Sequence, residues 1–166
     1  MKKRRLLRVT VLMVAFLLVS SAAVAAQPSG SAAIKCVLDI TYDAHDECEE
    51  VVPCWFGTVT GPRCSVAGEI RFDAVEEEYS YPGNTMHFVE VFTLEPYSGG
   101  EIHGKDWGVW NMATFKFRAQ GWVTSASEEW EHLVGSRYHE IGWTSNPADG
   151  LPITTSDAQM HIAPSN

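Results

Sequence analysis

No stretch of this 166-residue sequence repeats apolar residues at helical spacing for long, so a helical bundle or a doubly wound α/β fold is excluded. Basic residues are few, 12 Lys and Arg against 21 Asp and Glu. Five of the 12 lie in residues 1–8, which leaves seven basic residues against the same 21 acids beyond residue 26, a net charge of −14. A surface that acidic is a poor partner for nucleic acid or an anionic membrane; its ordinary meaning is a solvated face. The chain also lacks a nucleophile elbow, P-loop, dinucleotide fingerprint, zinc-protease motif and N-x-S/T sequon. It has no C-x-x-C pair and no H-x-H, so neither a cofactor nor a metal site is expected from spacing.

What is present begins with an export signature. Met1 to Arg8 is a basic n-region, Val9 to Val19 an apolar h-region, and Ala23-Val24-Ala25 a small-residue cleavage pattern, so residues 1–26 read as a secretory signal peptide. An uncleaved anchor is the alternative, because the apolar run extends to Ala26; its Ala/Ser-rich end favours cleavage. The expectation is a secreted or extracytoplasmic protein with no membrane attachment after cleavage. Residues 27–33 form a flexible leader and residues 34–166 a single domain, long enough to bury a core. All four cysteines, Cys36, Cys48, Cys54 and Cys64, fall early in that domain. An even count in an exported chain implies two disulfides with three possible connectivities. If strands 34–42 and 54–60 make a hairpin, residue 36 lies near the 60–64 end, which favours Cys36–Cys64 with Cys48–Cys54.

Strand-like runs then follow one another: 34–42, 54–60, 66–76, 85–95, 101–112, 114–123, 137–144 and 153–162. Gly61-Pro62, Tyr81 to Asn84 and Pro96 to Gly100 supply turns. Ser127 to Leu133 breaks the rhythm and reads as a short helical turn with Ser127 as N-cap. About eight strands at this spacing indicate an all-β sandwich or barrel. Glycines inside strands mark bulges and sharp bends, which favours a small antiparallel up-and-down β-barrel.

Four segments carry a resemblance: His87-Phe88-Val89-Glu90, Gly104 to Trp110, Thr114 to Gly121, and Trp130-Glu131-His132-Leu133-Val134-Gly135. Together they resemble the allene-oxide-cyclase-like family of calycin-like barrels, over less than half of the chain. The resemblance implies an up-and-down barrel around a cavity with an inward Glu, for which Glu90 is the analogous position. In the plant cyclases of that fold the cavity closes an epoxide-derived cation into a cyclopentenone. The shared motifs are structural, and fold alone does not fix function.

The residues themselves point to the same carboxylate. On strand 85–95, Met86, Phe88, Glu90, Phe92 and Leu94 share one face. A carboxylate on an apolar face needs a partner, a shifted pKa or a use. On the opposite register His87, Val89, Val91 and Thr93 point in and Glu90 lies on the surface. An inward Glu90 is a candidate catalytic group, or a structural partner of Arg118 or a Trp N–H. Strand 137–144 offers Tyr138 and Glu140 on one face. Turned inward they join Glu90, and two carboxylates in one cavity suit acid–base work. Turned outward, Glu140 pairs across strands with Lys116 or Arg118, the reading favoured here. Six scattered histidines suggest at most a His87–His139 metal pair, and the six tryptophans are read chiefly as core filling.

The expected function is binding of a small apolar or amphipathic ligand inside the barrel, lined by Phe88, Glu90, Phe92, Phe115, Phe117, Tyr138 and Glu140. An isomerase or cyclase using the same cavity is the second reading. An exported interaction module with a filled barrel is the third. The oligomeric state is not legible.

Overall fold

Side chains that alternate in and out along every strand can bury one face only if the sheet closes or stacks. In the computed structural model, which describes residues 32–43, 54–75 and 80–164, the sheet closes into a barrel. Its strands are β1 (Ile34–Asp43), β2 (Cys54–Arg63), β3 (Gly68–Ala74), β4 (Thr85–Pro96), β5 (Ile102–Asn111), β6 (Lys116–Ala126), β7 (Arg137–Thr144) and β8 (Thr155–Ala163). Each pairs antiparallel with its neighbours in sequence, and β8 closes on β1 from Ile34↔Ile162 to Leu38↔Ala158. The fold is therefore the all-β, eight-stranded, up-and-down barrel that the strand spacing implies. Residues 1–31, which hold the expected signal peptide and most of the expected leader, and the stretch with His45 and Cys48 lie outside the described residues.

Local differences from the sequence reading have physical causes. β2 continues through Gly61 and Pro62 because Gly61 adopts a φ of 125°, so pairing survives to Lys35↔Arg63. Phe115 has a φ of 56° and sits in the turn before β6, out of the alternation assigned to it. The helical turn is a 3₁₀ segment, Glu128–Leu133, and Ser127 stands at its N-cap without a side-chain cap bond. The Ser127 hydroxyl instead accepts from the Glu101 amide at 2.7 Å. Ladder shifts fall at His103/Gly104 and around Gly142, two of the in-strand glycines.

One end of the barrel is sealed. Val66, Leu94, Ile102, Val123, Leu133 and Ile162 are all essentially inaccessible there. The Cys36–Cys64 disulfide joins β1 to the segment after β2, with Cα atoms 4.7 Å apart. Cys54 is also disulfide-bonded, and the expected partner, Cys48, lies outside the described residues. Disulfides of this kind suggest a non-reducing compartment. Among the described residues no helix is long and apolar enough to cross a membrane.

Candidate functional site

The barrel is filled to mid-height by rings. Phe92 and Tyr138 stack with centroids 4.5 Å apart, and Phe72 lies 6.0 Å from Phe92 and 6.4 Å from Tyr138. The space for these rings comes from β5, whose inward face reads Ile102, Gly104, Asp106, Gly108, Trp110. A Cβ at Gly104 would overlap the Phe92 ring, and one at Gly108 the Phe88 ring.

Above the rings three carboxylates converge. Glu90 and Asp106 are direct cross-strand partners on β4 and β5. Asp106 faces Gly121 on β6, and Glu140 on β7 faces Ala119. Because β6 contributes only these two small residues at that level, Asp106 and Glu140 reach toward each other across it. Glu90, Asp106 and Glu140 are 4 %, 0 % and 3 % exposed, and each offers an oxygen within 4.8 Å of the others. The Tyr138 hydroxyl donates to Glu140 Oε2 at 2.9 Å. Neither oxygen of Asp106 has a hydrogen-bond partner.

Burial and mutual repulsion set the protonation of this group. The Asp106 carboxyl is held well above the usual aspartate range, by burial first and then by the charges of Glu140 and Glu90. Burial lifts Glu140 to about 7, against a downward pull from the Tyr138 hydrogen bond. Tyr138 is pushed up by burial and by the same carboxylates. Three like charges this close do not ionise together without a compensating cation.

A cup opens from this floor toward the strand ends at Thr85, Asn111, Thr144 and Thr155. Its walls are Ile40, Trp55, Met86, Phe88, Trp110 and Phe117, and Glu90 and Glu140 lie at its base with Thr144 and Thr155 also lining it. Its volume is ≈ 30 Å³, room for about two water molecules. Trp110 donates to Thr144 Oγ1 at 3.1 Å and Trp55 meets Tyr42 edge-on at 5.2 Å, which fixes the rim.

No family model, curated protein or solved structure matches this chain. The site is therefore read from its own chemistry.

Of the residues expected at the site, Phe88, Glu90, Phe117 and Glu140 line the cup, while Phe92 and Tyr138 form the plug beneath it. Phe115 is displaced into its turn and lines no part of the cup. Glu140 is inward, which overturns its favoured pairing with Lys116 or Arg118; both of those are exposed on the outer face. That also removes Arg118 as a partner for Glu90. His87 and His139 lie on β4 and β7, with two strands between them, so they are not neighbours. None of the six tryptophans is fully buried, but Trp55, Trp110 and Trp130 pack half-buried against a core of Phe, Tyr, Leu, Ile and Val. Trp107 and Trp122 instead stack at 4.7 Å on the outer face. Asp106 was missed by the sequence reading. Its signal was parity, because it shares a face with Ile102, Gly104 and Gly108.

Proposed function

We propose that this chain is an exported, disulfide-stapled barrel that binds one small amphipathic molecule at its mouth. The carrying observation is an aromatic cup with two buried carboxylates at its base. Trp55, Met86 and Trp110, half-buried at the rim, offer apolar surface to the body of a ligand, and Phe88 and Phe117 wall the space around its end group. Glu90 and Glu140 accept hydrogen bonds or positive charge from its end group. The cup's small volume admits that end group alone, so the body of the ligand rests among the half-buried rim residues. Export is supported by the signal-like first 26 residues and by the disulfide. The resemblance to allene-oxide-cyclase-like barrels agrees with this reading.

A test uses apolar bodies of one size ending in ammonium, hydroxyl or carboxylate, followed by quenching of Trp55 and Trp110 fluorescence. The first two bind, and the carboxylate is rejected by at least about tenfold, because like charges meet at the floor. Equal binding of all three, or of none, together with a ligand-free mass for the exported protein, removes the proposal.

A second reading is an isomerase or cyclase in the same cup. It is favoured by Glu140, whose carboxyl lies near neutrality with a phenol bonded to it, the condition for acid–base transfer at physiological pH. Glu90→Gln discriminates the two. Under this reading it leaves affinity for the apolar body near normal and abolishes turnover.

A further inference from the structure

The carboxylate cluster lies deeper than the cup requires. Asp106 lines no part of the cup, yet it is 0 % exposed and both of its oxygens lack a hydrogen-bond partner. A buried acceptor left unsatisfied costs about 1–3 kcal/mol, more when it is ionised. Among the described residues no Lys, Arg or His is buried to face the cluster. We propose that Glu90, Asp106 and Glu140 bind a single divalent cation, with Ca2+ the best fit.

The donor set selects the ion. All donors are oxygens, which suits hard cations and disfavours zinc or copper. Oxygens around one Ca2+ at its usual bond length lie up to about 4.6–5.2 Å apart, whereas around Mg2+ the limit is about 4.2 Å. The cluster's oxygens lie within 4.8 Å of one another, a range Ca2+ covers without movement of the strands. Three carboxylates binding through one or two oxygens each supply three to six ligands. The adjoining cup has room for about two waters to complete the shell. Tyr138 acts as a positioning residue, since its hydroxyl fixes one Glu140 oxygen and leaves the other to turn inward. Two positive charges against three negative ones leave the floor a net acceptor, and a ligand end group entering the cup would take the place of those waters. The ion site does not depend on that ligand.

The experiment uses the exported full-length domain with its disulfides intact, stripped with EDTA and titrated with metal alone. Ca2+ is expected to bind with submillimolar affinity, one per chain by calorimetry, and to raise Tm by about 5 °C or more at several millimolar. Mg2+ is expected to bind more weakly. Tb3+, a hard ion of similar size, should give luminescence on excitation of Tyr138 and the nearby tryptophans. Asp106→Asn removes the ligating carboxylate without changing shape and should abolish the Tm shift and the luminescence while the barrel stays folded. Should that variant fail to fold, Glu140→Gln serves the same purpose. Absence of any shift at 10 mM Ca2+ overturns the proposal. So does a shift that survives in both variants, which would place binding on the acidic outer surface.

Discussion

Below the Phe92–Tyr138 pair the inward strand positions are apolar, among them Leu94, Ile102, Val123 and Ile162, whereas above it three acids share the same interior. The sealed half is held by close packing and the Cys36–Cys64 disulfide, while Cys54, disulfide-bonded at the other end of β2, ties the mouth. The mouth half holds groups that lower stability whenever they ionise without a partner. One barrel thus spends its packing energy at one end and stores cost at the other, the pattern of a site supported by a scaffold. The strongest way to break this comparison is to cut the same side chain in both halves. Phe92→Ala should destabilise the protein by about 3–5 kcal/mol, since its ring touches Tyr138, Phe72 and the Gly104 backbone and leaves a closed void. Phe88→Ala should cost roughly half as much, because its void joins a cup already open to water. Urea unfolding with disulfides intact measures both, and equal costs would mean that the two halves are not energetically distinct.

How much of this was legible follows from periodicity. Alternation places Phe88, Glu90 and Phe92 inward, and Tyr138 with Glu140 on one face of its strand, so each strand's two faces are readable from the chain. Which face of β7 points inward is not readable there, because Arg137, His139, Ile141 and Trp143 form an equally mixed set. Closure decides it, since Glu140 lies opposite Ala119 and Met160, both inward. Asp106 escaped notice because glycines flank it on its own face, leaving no apolar stripe in which a carboxylate stands out. The glycines that hid it are what make room for the rings beside it. Phe115 was misplaced because a left-handed φ at a non-glycine residue is invisible to pattern reading.

The comparison sharpens with pH, the next effect in size. In metal-free protein the folded Glu140 carboxyl titrates at about 7 against an ordinary 4.5, and Asp106 is raised as well. The folded state therefore binds more protons than the unfolded chain between these values, and stability falls as pH rises. The contribution is fully present below about 4.5 and is lost as pH passes 7; for Glu140 alone it amounts to about 3 kcal/mol. Stability curves in EDTA should thus fall from pH 5 to pH 8. Glu140→Gln, which keeps an oxygen to accept from Tyr138 but does not titrate, should flatten much of that fall. A wild-type curve that rises over this range would show that the mouth carboxylates are compensated within the fold.

The smallest effect belongs to the sealed end and tests whether its stability is local. Ser127 accepts from the Glu101 amide at 2.7 Å and donates to the Glu101 carbonyl at 3.3 Å, while the Trp130 indole donates to Gly99 at 2.9 Å. These bonds clamp the 3₁₀ turn across the β4–β5 hairpin. Were Ser127 a helix cap, Ser127→Ala would fray residues 128–133. Its hydroxyl serves the hairpin instead, and the Trp130 amide bonds to the Ser127 backbone carbonyl, which the substitution leaves intact. Ser127→Ala should therefore cost about 1 kcal/mol. Amide hydrogen exchange should speed up at Glu101 by roughly tenfold, with little change at Trp130. Faster exchange at Met112, whose amide bonds to Asn84 beside the mouth, would instead show that the two ends are coupled through the barrel wall.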